Sequence, residues 1–157
     1  MAKSIASRVP ELIAAVAAVV GLVVYLITST TGYLAGKAMN VLPIVCTVLA
    51  VVALLAAVAV GSRLGELAND ALLIASEVLL VVSFALFTLD RVSLAADIYF
   101  IPVNYPASEQ TALNISLVGV VAYLVAIVLL IVKAFTAKAT SGTASITIED
   151  GTVPAVA

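Results

Sequence analysis

An all-α integral membrane bundle of four helices is the fold class this sequence predicts, and three observations predict it. Mean hydropathy is +1.30. Apolar residues make up 64% of the chain against 10% charged. The apolar residues also gather into four long runs. A soluble domain carries charge on roughly a quarter of its residues. In water, a chain of 157 residues with this composition would have more apolar surface than one small core can hide. A helix crosses the hydrocarbon with about 17 to 25 apolar residues. Lipid cannot satisfy backbone polar groups, so such runs must be helices or barrel strands. Their length and lack of alternation exclude strands.

The first run covers about 12–28 and is uncharged. Lys3 and Arg8 precede it, as in a secretory signal. It is nevertheless long for a signal core, and residues 29–36 offer no Ala-x-Ala site, so it reads as a span. The second run is about 41–60, also uncharged; the third, about 71–89, contains one carboxylate, Glu77; the fourth is about 112–132. The tight 61–66 connection makes the second and third helices antiparallel neighbours, with Asn69 or Asp70 as the expected cap of the third. Residues 90–111 read as the longest loop. Within it, Pro106 and Glu109 suit a first helical turn, so the fourth helix is expected to begin before its apolar run.

Residues 1–138 therefore form the four-span domain and 139–157 a flexible polar tail rich in Thr, Ser, Gly and acid. Ile146 to Val153 alternates around Asp150-Gly151, a short-hairpin signature, but one isolated hairpin is marginal in water. Four spans put both termini and the middle loop on one side. That side carries Lys3, Arg8, Arg63, Lys133 and Lys138, against Lys37 and Arg91 on the other. The positive-inside rule makes the first side cytoplasmic, giving N-in and C-in. Spans rich in Ala, Val and Leu, without Trp, point to a bacterial cytoplasmic membrane.

Small residues recur at helical spacing: Ala14, Ala17, Ala18 and Gly21; Ala53, Ala57 and Gly61; Ser116 and Gly119 beside Tyr123. Such residues let helices approach closely in lipid. In an Ala-rich chain, packing within its own bundle is the plainer explanation than a dedicated dimer seam.

Glu77 is the residue that stands out chemically. An ionised carboxylate at that depth costs about 2.5–3.5 kcal/mol on insertion scales. It is expected to be neutral, since no Lys or Arg lies at comparable depth to pair with it. Ser76, Ser83, Thr47, Tyr25 and Tyr123 are hydroxyls that could meet it. Glu77, Tyr25, Tyr123 and Thr47 thus form a candidate ion or polar site, with bonding between helices as the alternative use of the same groups. In the outer loop, Tyr99, Phe100 and Tyr105 form a candidate partner-binding segment or an interfacial anchor. Pro102 and Pro106 are expected to keep this segment from being helical. Asn114-Ile115-Ser116 matches a glycosylation sequon at the membrane mouth, where it carries no weight.

Several classes are set aside. There is no His, no phosphate-binding Gly-rich loop and no nucleophile constellation, and Cys46 is the only cysteine. No enzymatic activity, cofactor or metal is therefore expected, and Cys46 reads as a small apolar packing residue. A net charge of −2 without a basic stripe excludes nucleic acid. Two functions remain. One is a non-enzymatic subunit or accessory protein, binding another membrane or envelope protein or a second copy of itself. The other is a small oligomeric transporter or channel component using Glu77 as its coupling acid. The lack of an internal repeat, a second acid or a broken helix favours the first.

Overall fold

A computed structural model of the chain describes residues 8–31, 38–100 and 107–141. It contains four helices: α1 (Val9–Thr30), α2 (Leu42–Leu64), α3 (Glu66–Phe100) and α4 (Ala107–Ser141). Each holds a stretch long and apolar enough to cross a membrane.

The helix ends follow from local chemistry. Pro10 and Pro43 occupy first turns, where a missing N–H leaves no bond unmade. Asn40 reinforces the start of α2, its Oδ1 accepting from the Leu42 N–H at 3.1 Å. Arg63 sits in the last turn of α2, opposite the negative end of the helix dipole. The chain then reverses at Gly65, whose φ of 77° is costly for a residue with a Cβ. The expected 61–66 loop thus shrinks to one residue. Asn69 and Asp70 are not the cap of α3, because Glu66 already occupies its first turn. Asn69 instead packs on Gly61, where an added Cβ would collide with its Oδ1.

Two expected boundaries are corrected. α3 does not stop at Leu89. It continues through Asp90 and Arg91 to Phe100, so Tyr99 and Phe100 are exposed helical residues rather than part of an irregular loop. The helix continues because its buried stripe does: Ser76, Leu80, Ser83, Phe87, Arg91 and Leu94 recur at steps of three and four. A search for uninterrupted hydrophobicity ends at the first charge, whereas the buried face runs on through Arg91 to Leu94. The fourth helix begins before its apolar run, with Glu109 in its first turn as expected, but it runs on past 132 to Ser141. Pro102, Tyr105, Pro106 and the 146–153 hairpin lie outside the described residues.

Partner residues fix the directions. Along α1 and α4, Glu11 meets Lys133, Gly21 meets Tyr123 and Val24 meets Gly119. Along α2 and α3, Gly61 meets Asn69 and the Pro43 carbonyl meets Ser83. In each pair one number rises as the other falls, so neighbouring helices run antiparallel. The closest pairs are α1 with α4 and α2 with α3, and α3–α4 and α1–α2 contacts close the ring. The core holds Ala14, Ala18, Leu54, Leu80, Ala126 and Leu130 around Tyr25, Phe87 and Tyr123. Val16, Val52, Val78 and Leu117 project outward and are exposed, as lipid-facing positions should be. The small-residue runs serve this internal packing: Ala14, Ala18, Gly21, Ala57, Ser116 and Gly119 are all buried.

Candidate functional site

Polar side chains gather at the two ends of the bundle, with an apolar and aromatic layer between them. At the end where α1 stops and α2 begins, Arg91 is only 6% exposed. Its Nη2 donates to Thr28 Oγ1 and Ser29 Oγ, each at 2.8 Å, and to the Tyr25 carbonyl at 3.5 Å. Its Nε donates to Ser116 Oγ at 3.2 Å. The hydroxyls pass the interaction on. Thr28 donates to the Val24 carbonyl at 2.7 Å and Ser116 to the Ala112 carbonyl at 2.9 Å. The guanidinium carbon also lies 5.3 Å from the Tyr25 ring centroid and 5.1 Å from that of Phe87, within cation–π range. Three helices thus hold one cation in a fixed orientation.

Beside it, the Tyr25 hydroxyl lies 2.9 Å from Asp90 Oδ2 and 2.8 Å from the Asn40 carbonyl oxygen. One hydroxyl proton serves two acceptors, one at a time. A cavity of about 270 Å³ adjoins these groups, lined by Tyr25, Ser29, Asn40, Asp90, Arg91 and Ser93 among others.

At the opposite end, Glu11 is 2% exposed and pairs with Lys133 of α4. Arg8 donates to the Val58 carbonyl of α2. Glu11 Oε2 has no partner among the described residues.

Between the ends, Tyr25, Phe87 and Tyr123 meet edge to face, with centroid distances of 5.1 and 6.0 Å. Tyr123 also bonds across to Thr47 at 2.7 Å. Thr47 donates to the Pro43 carbonyl at 2.8 Å, so it accepts from Tyr123.

The chain matches no family model, no curated protein sequence and no solved structure.

Of the four residues expected to form one polar site, the structure joins Thr47 and Tyr123 directly and links Tyr25 to them through Phe87. Glu77 is left out. It is half-buried, and among the described residues it makes no hydrogen bond or ion pair. The hydroxyls expected to relieve it serve backbone carbonyls instead: Ser76 that of Leu73 at 2.7 Å and Ser83 that of Pro43 at 3.2 Å. Cys46 is a buried free thiol. Among the described residues, no three His, Cys, Asp or Glu side chains are placed to hold a metal ion.

Sequence reasoning missed Glu11, Asp90, Arg91 and Lys133, all of them just outside the apolar runs. A usable signal existed for Arg91: it continues the Ser83–Phe87 spacing and stands across from the hydroxyl-rich end of the first span.

Proposed function

We propose that this small multi-pass membrane protein is a non-enzymatic subunit of a larger membrane assembly, with both termini cytoplasmic, and that the partner meets the flank of α3 carrying Glu77. The supporting observation is Glu77 itself. It lies eight residues, or about 12 Å of helix, from Asn69 at the Glu11–Lys133 end of the bundle. At that depth a carboxyl group needs a hydrogen-bonding companion, and the chain's own described residues supply none. Leu73 and Phe84 flank it at helical spacing and are also half-buried, while Ile74, Val78 and Val81 beside it are exposed. A polar group within an apolar flank is what a neighbouring transmembrane helix recognises.

The bundle's interior favours this reading over a channel through a single chain. Tyr25, Phe87, Tyr123, Leu54 and Leu80 are each at most 1% exposed, and they separate the two polar ends.

The test is thiol cross-linking in native membranes, in a Cys46→Ala background. Single cysteines at Ile74 and Val78 should give a discrete adduct, either with another membrane protein or with a second copy. Cysteines at Val52 and Leu117, on other outward faces, should not. Absence of adducts at both Ile74 and Val78 would overturn the reading. So would a pH-dependent ion flux in reconstituted vesicles that disappears in Glu77→Gln, which would put the transporter first.

A further inference from the structure

The cavity beside Arg91 has two chemically opposite walls. On one, the guanidinium carries five N–H donors, and among the described residues its hydrogen bonds run through Nε and Nη2. The two N–H groups of Nη1 remain as donors. On the other, the Asp90 carboxylate and the Asn40 carbonyl converge on the Tyr25 hydroxyl, which has a single proton to give. Among the described residues, that wall has more acceptors than donors. Asp90 and Asn40 are half-buried, so a ligand in the cavity can reach both walls, and each wall suits the opposite charge: an oxyanion at Arg91 and a donor-bearing cation at Asp90.

We infer that this cavity binds a zwitterion in which a primary ammonium stands a few bonds from an oxyanion. The ammonium donates to Asp90 and the Asn40 carbonyl, and the oxyanion accepts from Arg91. The volume of about 270 Å³ falls just below the usual range for drug-sized ligands, so it suits a head group or a small molecule. Two sources share this chemistry: the head group of phosphatidylethanolamine and a free amino acid. The position favours neither, because the site lies where α1 ends and α2 begins, at a mouth of the bundle. A quaternary ammonium has no N–H to give, and an anionic head group without nitrogen cannot serve Asp90, so both should be rejected. The hydroxyl clamp on Arg91 keeps the guanidinium in place before the ligand arrives, which lowers the ordering cost of binding. The inference does not depend on the Glu77 reading, since it concerns another part of the molecule.

The full chain, purified in mild detergent and stripped of lipid, is put into nanodiscs of phosphatidylcholine alone or doped with phosphatidylethanolamine or phosphatidylglycerol. The readouts are lipid retention on re-extraction, by native mass spectrometry, and the thermal midpoint. In a separate arm, glycine and phosphoethanolamine are titrated into the phosphatidylcholine sample. Selective retention of phosphatidylethanolamine with a raised midpoint establishes the lipid source. A raised midpoint with the soluble zwitterions alone establishes the aqueous one. Asp90→Asn should lower either preference about tenfold, the size of one charge-assisted hydrogen bond. Because a variant of Arg91 can fail to fold, the second variant is Ser93→Phe. Ser93 is exposed and lines the cavity, so the added ring fills it without touching the Arg91 clamp. Equal behaviour of all three lipids together with no response to the soluble zwitterions would overturn the inference, as would binding unchanged in Ser93→Phe.

Discussion

Gly21 of α1 lies against the ring of Tyr123 of α4, so closely that a Cβ on Gly21 would come 2.7 Å from both Cδ2 and Cε2. Gly119 repeats the relationship from the other helix, where an added Cβ would meet Val24 Cγ1 at 2.7 Å and Phe87 Cε1 at 2.8 Å. The ring is not free to yield, because its hydroxyl is bonded to Thr47. Gly21→Ala should therefore force α1 and α4 apart and destabilise the bundle by about 1–3 kcal/mol, the usual range for overpacking. Ala17→Gly, on a half-buried neighbouring position, should cost no more than about 1 kcal/mol from helix propensity. Unfolding in mixed micelles, followed by circular dichroism, compares the two. Equal effects would mean that the contact is not tight.

The Thr47–Tyr123 bond joins α2 to α4 across the core. Interhelical hydrogen bonds in membranes average about 0.6 kcal/mol and reach about 1.7. Tyr123→Phe should fall within that range, since the ring keeps its packing against Phe87. Thr47→Val should cost at least as much, since it also removes the bond to the Pro43 carbonyl, and the double variant should cost less than the sum of the two, because both remove the Thr47–Tyr123 bond. Additive losses would show that the two hydroxyls act separately.

Glu11 and Lys133 close the other end of the bundle, linking its first and last helices. Glu11 is almost fully enclosed, with a side chain 3% exposed, against 18% for Lys133. The two partners should therefore behave unequally. Lys133→Met leaves a carboxylate buried without its cation, and breaking a buried pair costs about 3–5 kcal/mol. Glu11→Gln leaves a lysine that can still reach solvent, so its loss should be smaller. Combining the two should restore much of the stability lost in Lys133→Met. Additivity in this double-mutant cycle would argue against a coupled pair.

The four helices, their number and their approximate places were legible in the sequence because lipid imposes one demand, a sufficiently long apolar run. The packing role of Gly21, Ala57 and Gly119 was legible for a related reason, since small residues at helical spacing have few other uses in lipid. The polar chemistry was not, and the reason is physical. Scanning for apolar length treats charges as boundaries. Arg91 and Glu11 are charges that the fold takes inside, through hydroxyls on two neighbouring helices in one case and an ion pair in the other. Glu77 was visible in the sequence, but its surroundings were not. It stood out by its depth along α3, but depth says nothing about which way a side chain faces, and it falls on the flank of the buried stripe. Only the positions of Thr28, Ser29 and Ser116 relative to Arg91 separate an organised site from an isolated charge, and those positions depend on contacts between helices distant in sequence.

Orientation can be tested on the same residues. Of the cations that set the positive-inside bias, Arg8 and Lys133 are engaged with Val58 and Glu11, and Arg91 is buried. Setting these three aside leaves Lys3, Arg63 and Lys138 against Lys37, so the bias keeps its direction. Reporter fusions after Lys138 should be active only in the cytoplasm, and insertions within 107–110 only on the far side. Four antiparallel helices require the two sites to differ, so finding both on one side would contradict the bundle itself. Opposite sides with the assignment exchanged would reverse only the orientation, and the Arg91 cavity would then open to the cytoplasm. Because Lys3, Arg63 and Lys138 carry the argument, replacing all three by Gln should produce a mixed population. Replacing Arg8 and Lys133 should instead lower stability first, since both are held by the fold.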